Sequence, residues 1–396
     1  MFDIGSCRAS NNPTIDTQGD DAMNYYTLGN TGLKVSRLAL GTMTFGDDWG
    51  WGADEANARK LFDTYLEAGG NFIDTADLYT NGNSERMLGR FVKESSTRDR
   101  IVITTKFSYN GEPGNPNAGG NGRKNILRAI EGSLERLGTD YIDVYMLHTW
   151  DRVTPAEEVV RTLDDLVRSG KVRYVALSDA PAWYVAQAQT IARERHLEPI
   201  STVQLEYSLV ERNIEFEYVP MANALGTGIM VWSPLASGLL SGKYKPSQNG
   251  PEGSGRLATL ADTENPAFNK FTEKNWAIVA ELEKVANELG RSMAQVAVNW
   301  VANRPGVASV IIGATKLHQL EDNLGALDFE ISTELQQRLD EVSQPEVRFP
   351  YTFFESTLQG MINGGTTVGD KPSSYRQPIL TQGSGTGVSA SENSET

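Results

Sequence analysis

The 396-residue sequence has one cysteine, Cys7, so no disulfide can form within the chain. The absence of a disulfide framework is typical of reducing compartments and favours a cytoplasmic location. No apolar run approaches the roughly 18 residues that a membrane-spanning helix needs. The first residues have neither a basic nor an apolar signal region, so no secretion signal is indicated. A membrane is therefore not an expected partner.

Positive charge is scarce as well. Lysine and arginine number 36 against 51 aspartate and glutamate residues, which gives a formal net charge of −15 at pH 7. Without a dense Lys/Arg stripe, binding to nucleic acid or anionic lipid is not expected, and the acidity is interpreted as favouring solubility. Two of the 3 histidines, His196 and His318, fall in predicted helical regions, so no metal site is predicted.

The ends of the chain differ in composition from its body. Residues 1–22 are polar and acidic, and Met23 opens a segment with a better folding pattern, so 1–22 are predicted to be a disordered extension. Residues 23–345 are predicted to form one domain, and 346–396 a C-terminal segment. Its last residues, about 20 in number, are small and polar and are predicted to be disordered.

Alternating strand and helix patterns fill the body. Segments 25–28 and 33–35, joined through Gly29 and Gly32, predict a β-hairpin. Apolar strand-length runs follow at 37–40, 72–73, 101–104, 142–147, 172–177, 202–205, 229–232 and 310–312. Helical periodicity is found at 54–68, 123–137, 155–169, 181–195, 271–289 and 293–303. The pattern predicts an α/β fold with a parallel sheet covered on both faces.

The number of strands favours a closed (β/α)8 TIM barrel, with an N-terminal hairpin and long rim loops, over an open sheet. An open dinucleotide-binding sheet carries Gly-x-Gly-x-x-Gly between strand and helix. The glycine clusters of this chain instead lie in a loop, 119–122, and in the tail, 383–387. In such barrels the active site lies at the carboxyl ends of the strands.

Four side chains with useful chemistry fall at those ends. Asp74 ends the second barrel strand and Tyr79 lies five residues later, while Lys106 and His148 end the third and fourth strands. Taken singly, each has a structural alternative: a turn cap, a packing ring, a solvated charge or a core histidine. Together they suit carbonyl reduction, in which Tyr79 donates a proton. Lys106, held by Asp74, would lower the pKa of the phenol, and a neutral His148 would orient the carbonyl oxygen.

The motifs GGNFIDTADLY, ITTKF and YMLH resemble the Asp, Tyr, Lys and His tetrad of the aldo-keto reductases. The resemblance covers about residues 25–342 and is nearest to the branch with potassium-channel β-subunits and related microbial reductases. It implies that Asp74, Tyr79, Lys106 and His148 are catalytic and that the cofactor is NADP(H) in preference to NAD(H).

The same resemblance implies a set of cofactor contacts. Ser178, Asp179 and Gln204 resemble the residues that hold the nicotinamide carboxamide, and Trp232, Ser233, Pro234 and Leu235 resemble those between the ring and the pyrophosphate. Lys243 and Arg256 resemble phosphate-side contacts, and Gly313, Thr315, Lys316, Gln319, Asp322 and Asn323 resemble the adenosine segment. Free amides at a helix start would favour a phosphate there, and Thr315 and Lys316 would suit the 2′-phosphate of NADP.

Two positions depart from the family pattern. Many relatives have Asn where this chain has Asp179, and we hypothesise that this carboxylate favours the positively charged oxidised nicotinamide. Many relatives have Glu where this chain has Asp322, so the side chain expected to contact the adenine is shorter here.

Aromatic residues near the rim suggest a bulky or cyclic carbonyl or alcohol substrate. The candidates are Trp49, Trp51, Tyr109 and Trp150, and packing beneath long loops is the alternative interpretation. Two other functions stay open: a nicotinamide-sensing regulatory subunit with slow turnover, and a metal-dependent barrel hydrolase or lyase. The sequence does not indicate an oligomeric state.

Overall fold

The computed structural model describes residues 23–247, 252–253, 255–260, 268–354 and 356–366. A closed barrel of parallel strands forms the centre, and a two-stranded antiparallel hairpin lies beside it. Disorder was predicted for residues 1–22 and for the last part of the chain, and these residues lie outside the described part. Cys7 lies outside it as well. Among the described helices, none is long and apolar enough to cross a membrane.

The strands follow one another around the barrel in chain order. The hairpin consists of β1 (Tyr25–Thr27) and β2 (Lys34–Ser36). The barrel consists of β3 (Leu38–Gly41), β4 (Phe72–Asp74), β5 (Val102–Phe107), β6 (Ile142–Leu147), β7 (Val172–Ser178), β8 (Ile200–Glu206), β9 (Gly228–Trp232) and β10 (Val307–Ile312). Strand β10 pairs with both β9 and β3, which closes the barrel. The predicted (β/α)8 barrel with an N-terminal hairpin is confirmed.

Helices cover the outside of the barrel. They are α1 (Glu55–Glu67), α2 (Asn83–Ser95), α3 (Arg123–Leu137), α4 (Ala156–Arg168), α5 (Ala182–Arg195), α6 (Ile214–Leu225), α7 (Arg256–Leu260), α8 (Glu273–Leu289), α9 (Met293–Ala302), α10 (Leu317–Leu324), α11 (Thr333–Ser343) and α12 (Ser356–Ile362). The six predicted helical segments correspond to α1, α3, α4, α5, α8 and α9. Helices α2, α6, α7, α11 and α12 were not predicted.

The starts of α4 and α5 differ by one residue from the prediction. Pro155 and Pro181 were expected at the first helical position, but both are extended N-cap residues, with ψ of 142° and 144°. Thr154 does not cap α4, because its hydroxyl donates instead to the Asp151 carboxylate at 2.6 Å. Proline has no backbone N–H that would be left without a partner at a helix start. It is therefore compatible both with the N-cap position and with the first helical position.

Apolar side chains from the strands fill the barrel interior, and the hairpin packs onto them. Leu28 and Val35 of the hairpin segment are fully buried in one cluster with Phe72, Met146 and Met230 of the strands. Gly29, with φ of +57°, lies so close to the backbone at the starts of β8 and β9 that a β-carbon would clash there. The hairpin therefore covers the amino end of the barrel, and the carboxyl end is left for the site.

Helices α2 and α3 pack with their backbones in close contact. A β-carbon at Gly89, in the middle of α2, would lie 2.5 Å from the carbonyl oxygen of Leu137 in α3. The missing side chain thus sets the distance between the helices that follow β4 and β5.

Candidate active site

Three neighbouring strands bring the four predicted catalytic side chains to one rim of the barrel. Asp74 is the last residue of β4, Lys106 lies near the end of β5, and His148 directly follows β6. Because β4, β5 and β6 pair in parallel, their carboxyl ends lie side by side. Tyr79 comes from the turn after β4 and is only 8% exposed. The structure thus brings all four together.

A strained turn positions Tyr79. The next two residues, Thr80 and Asn81, have positive φ angles of 46° and 55°. The Thr80 hydroxyl donates to the Phe45 carbonyl at 2.8 Å and accepts from the Ser84 amide at 3.0 Å. Left-handed conformations cost a non-glycine residue of the order of 1 kcal/mol or more and often mark functional sites. These hydrogen bonds hold the turn that directs the phenol into the barrel mouth.

The Lys106 ammonium is the centre of the predicted catalytic cluster. Its Nζ donates to Asp74 Oδ2 at 2.8 Å, to the Thr75 carbonyl at 2.9 Å and to the Tyr79 hydroxyl at 3.2 Å. The lysine is fully buried. The second oxygen of Asp74 accepts from Gln204 Nε2 at 2.7 Å, so the carboxylate is held on both sides. All three donors of the ammonium are therefore used, and one of them points at the phenol.

The electrostatics of the cluster favour a charged lysine and a neutral histidine. Burial alone would lower the pKa of Lys106, but the Asp74 carboxylate beside it raises that pKa overall. Burial and the charge of Lys106 hold the pKa of His148 well below its usual range. Burial raises the pKa of Tyr79 by more than the Lys106 ammonium lowers it. The expectation of a lowered phenol pKa is therefore wrong in its net direction, because the loss of hydration outweighs the nearby cation.

His148 lies between two tyrosine rings at the mouth. Its ring is 5.8 Å from the Tyr79 ring and 5.0 Å from the Tyr109 ring, and both contacts are nearly perpendicular. Its backbone N–H donates to the Phe107 carbonyl at 2.8 Å. The Nδ1 atom is buried and has no hydrogen-bond partner in the described structure. A neutral imidazole in this position can donate one hydrogen bond to a ligand oxygen.

A cavity of about 1040 Å³ opens above the tetrad and extends along the rim. The predicted residues that line it are Asp74, Tyr79, His148, Ser178, Asp179, Gln204, Trp232, Ser233, Pro234, Leu235, Lys243, Arg256, Gly313, Thr315, Gln319, Asp322 and Asn323, with Trp51 and Tyr109. Four predicted residues do not line the cavity: Lys106, which donates to the Tyr79 hydroxyl, Lys316, Trp49 and Trp150. The groups at this rim therefore share one space that is long enough to hold more than a small carbonyl compound.

Beside the tetrad, the cavity wall carries hydrogen-bonding groups without partners. The hydroxyl of Ser178 is buried and has no hydrogen-bond partner in the described structure. Asp179, with φ of 40°, accepts from Trp232 Nε1 at 3.1 Å, and its carboxylate is exposed to the cavity. Although the cavity reaches this carboxyl, the protein surrounding it raises its pKa to about 6 by desolvation. Gln204 Nε2 is committed to Asp74, so the Ser178 hydroxyl is a group of this wall that a ligand could use.

The middle of the cavity is polar and positively charged. Ser233, Ala236 and Ser237 have φ angles of 55°, 49° and 56°, so the chain after β9 turns sharply. The Arg256 guanidinium lies over the Trp51 ring at 5.1 Å and over the Phe268 ring at 5.8 Å. Its buried Nε has no hydrogen-bond partner in the described structure.

The far end of the cavity lies at the start of α10. The Gln319 side-chain oxygen accepts from the backbone amides of Thr315 at 3.0 Å and Lys316 at 3.1 Å. The two amides that were expected to be free for a phosphate are thus occupied by a side chain. Asp322 Oδ2 accepts from the Ser292 hydroxyl at 2.7 Å, which fixes the direction of the shorter carboxylate.

Sequence reasoning missed several lining residues. Met43 and Thr44 follow β3, and the rule that strand ends carry the site would have found them. His318 lies between predicted residues on α10. Ser292, the N-cap of α9, reaches the cavity only because α9 packs beside α10, and no local signal indicates that packing.

The predicted aromatic residues divide into two groups. Trp51 and Tyr109 line the cavity, and Trp49 packs against Trp51 at 5.6 Å. Trp150 lies outside the cavity and contacts the Trp183 ring at 5.4 Å. In the described part of the chain, no group of three His, Cys, Asp or Glu side chains is arranged to hold a metal ion.

Comparison with known proteins gives consistent matches over the barrel. The Aldo/keto reductase family model matches residues 37–344. The uncharacterized oxidoreductase YrpG of Bacillus subtilis is 37% identical over 331 residues, covering 81% of this chain and 96% of the relative. A probable voltage-gated potassium channel subunit beta of Oryza sativa subsp. japonica is 38% identical over 309 residues, covering 77% and 92%. Norsolorinic acid reductase of Aspergillus flavus is 33% identical over 337 residues, covering 83% of each chain.

Proposed function

The chain belongs to the aldo/keto reductase family, and we propose that it is an NADPH-dependent oxidoreductase that interconverts a ketone or aldehyde and the corresponding alcohol by direct hydride transfer. The observation that carries this proposal is the buried ion pair of Lys106 with Asp74, whose ammonium also donates to the Tyr79 hydroxyl at 3.2 Å. Tyr79 and His148 line the adjoining cavity, so a carbonyl oxygen that enters it meets both.

The residues of the cavity fit a nicotinamide dinucleotide. Such a ligand has an amide at one end and phosphates beyond it. The Ser178 hydroxyl and the Arg256 Nε are both buried without a hydrogen-bond partner in the described structure, and both residues line this cavity. In this proposal they bind the amide and a phosphate. An unpartnered buried polar group costs about 1–3 kcal/mol, so ligand binding would recover that free energy. When bound, the nicotinamide supplies the hydride, and the protein supplies position and a proton.

In this proposal Tyr79 is the general acid and base. The raised pKa keeps the phenol protonated at neutral pH, so it can donate its proton to the oxygen of a carbonyl under reduction. The phenolate left behind is stabilised by the Lys106 ammonium, which Asp74 holds in place. Oxidation of an alcohol needs the phenolate at the start, so that direction should be favoured at higher pH.

Neutral His148 has the orienting role. Burial and the charge of Lys106 hold its pKa well below the usual range, so it can donate a hydrogen bond without carrying charge into the cavity. The carbonyl oxygen would accept from both His148 and Tyr79, which fixes the angle of the carbon toward the hydride donor.

A preference for NADPH over NADH is part of the proposal. Thr315 lines the far end of the cavity, and Lys316 is an exposed cation beside it. A hydroxyl and an ammonium suit the 2′-phosphate that distinguishes the two cofactors.

The test is a comparison of wild type with Tyr79→Phe. NADPH binding is measured by fluorescence titration, and turnover is measured with aromatic aldehydes and cyclic ketones. We expect an unchanged Kd and a fall in kcat of about 10³-fold, because loss of a general acid typically costs 10²–10⁴-fold. A variant that keeps wild-type turnover would remove Tyr79 from the reaction, and wild type that binds no nicotinamide would overturn the cofactor assignment.

A nicotinamide-sensing subunit is the second candidate. The observation in its favour is the 38% identity with a protein named as a probable channel subunit beta. Tight NADPH binding with very slow turnover of every carbonyl tested would favour this function over the first.

A further inference from the structure

Three exposed apolar side chains lie on the rim next to the tetrad. Tyr109 is 48% exposed, Val153 82% and Trp183 56%. They follow the neighbouring strands β5, β6 and β7, so they lie on the rim that carries His148. Large exposed apolar groups that lie together are uncommon on a soluble surface and often mark a binding site.

One of these residues lines the cavity, and Trp150 links another of them to the cavity wall. The Tyr109 ring lines the cavity and contacts the His148 ring at 5.0 Å. The backbone N–H of Trp150, two residues after His148, donates to the Asp179 carbonyl, with the two atoms 3.4 Å apart. The Trp150 ring then contacts the Trp183 ring at 5.4 Å. We call Tyr109, Trp150 and Trp183 the aromatic ledge.

The ledge is supported from below, although its outer face is exposed. Trp150 and Trp183 also contact the ring of Tyr184, at 6.0 Å and 5.6 Å. Tyr184 is buried, and its hydroxyl donates to the Thr154 carbonyl at 3.1 Å. An indole held in this way binds a flat ligand with little loss of side-chain freedom.

The charge of the neighbouring wall limits what the ledge can accept. Asp179 exposes its carboxylate to the cavity, and its backbone carbonyl adjoins Trp150. An anionic group on the substrate would be repelled there, whereas an uncharged ring would not.

We propose that the substrate is an uncharged aldehyde or ketone with a second aromatic ring, or an equally flat apolar group, and that this distal group packs on the aromatic ledge with Trp183 as the specificity-determining residue. This inference rests on the proposed reductase function. The first ring lies by Tyr109 and His148, and the second extends past Trp150. The ledge acts on substrate affinity and takes no part in the proton transfer.

The test uses benzaldehyde and biphenyl-4-carbaldehyde, which share a reacting group and differ by one ring. Wild type should reduce the biphenyl compound with the higher kcat/KM. Trp183→Ala should lower kcat/KM for the biphenyl compound about tenfold and for benzaldehyde less than about twofold, since one aromatic contact and its buried area correspond to about that factor. Trp183→Phe should retain most of the preference.

Two controls separate specificity from damage to the protein. Tyr26→Ala removes a 42% exposed ring from the hairpin, at the opposite end of the barrel. It should leave kcat/KM for both aldehydes unchanged. The Kd for NADPH should be unchanged in Trp183→Ala. If benzaldehyde is reduced but the ratio of the two substrates does not change in Trp183→Ala, the ledge inference is overturned. If wild type reduces neither aldehyde nor any other carbonyl, the reductase function itself fails.

Discussion

Two regions adjoin one cavity but are built differently: the candidate catalytic corner, formed by the tetrad, and the candidate cofactor groove, which runs from Ser178 past Arg256 to Asp322. In the corner, every donor of the Lys106 ammonium has an acceptor, and Asp74 is held by a second donor. In the groove, Ser178 and Arg256 have buried polar atoms without partners in the described structure. The Lys106–Asp74 pair is thus preorganised by the fold, whereas the groove, like His148 Nδ1 at the mouth, has groups that a ligand would satisfy.

This difference separates two kinds of residue. Removing one partner of a buried ion pair lowers stability as well as any contribution to the reaction, because the other charge is left unpaired. A group that has no partner contributes when the ligand binds, so its loss should change affinity with little effect on folding. Substitutions in the two regions should therefore have different signatures.

The largest effect is expected for Lys106→Met. The substitution leaves the Asp74 carboxylate buried without its cation, which typically costs about 3–5 kcal/mol in the free energy of unfolding. Turnover should also fall by about 10² or more, because the phenol loses its charged neighbour. Urea denaturation and single-turnover kinetics measure the two effects.

The double variant Lys106→Met with Asp74→Asn is the matched control. Removing the second charge should restore much of the stability and none of the turnover. A single variant with wild-type stability and a normal rate would mean that the corner is not preorganised in the way described.

A smaller effect is expected in the groove for Lys316→Ala. The lysine is exposed, and pairs of this kind contribute little, so the Kd for NADPH should rise about two- to fivefold. The Kd for NADH, which has no 2′-phosphate, should not change, and neither should the melting temperature. Lys34→Ala, in the hairpin, is the control for loss of one exposed charge. An equal change for both cofactors would remove Lys316 from the 2′-phosphate site.

The smallest effect is expected for Asp179→Asn, at the border of the two regions. With a pKa of about 6, the carboxyl is mostly neutral at pH 5 and ionised at pH 7.5. The ionised form attracts the positively charged oxidised ring, so wild type should prefer NADP⁺ over NADPH about threefold more at pH 7.5 than at pH 5. In Asp179→Asn this ratio should be independent of pH. The 2′-phosphate also titrates, but it does so in both cofactor forms and cancels in the ratio.

The sequence was sufficient to predict the strands because their apolar runs are local and repeat regularly. It was insufficient for α2 and α6, which contain Gly89 and Pro220, residues that disfavour a helix in isolation. Gly89 is tolerated because α3 lies against it, and a contact between segments about 50 residues apart has no local signal. Tertiary packing outweighs local preference at α2.

The tetrad could be predicted because a rule of the fold places strand ends together. The remaining contacts depend on where side chains point, which packing decides. Gln319 occupies amides that were expected to be free, and Ser292 arrives from a neighbouring helix to bind Asp322. Trp150 was expected in the cavity, but it packs against Trp183 instead. None of these directions follows from the spacing of residues along the chain.

The contact between Gly89 and Leu137 has a consequence for how the protein tolerates mutation. Helices α2 and α3 follow the strands that carry Asp74 and Lys106. A methyl group added at Gly89 would push these two helices apart, and we expect the distance between Asp74 and Lys106 to change with them. We therefore expect a position with no functional group of its own to tolerate few substitutions. In a random mutagenesis screen, it would be recovered among the inactive clones without ever touching a reactant.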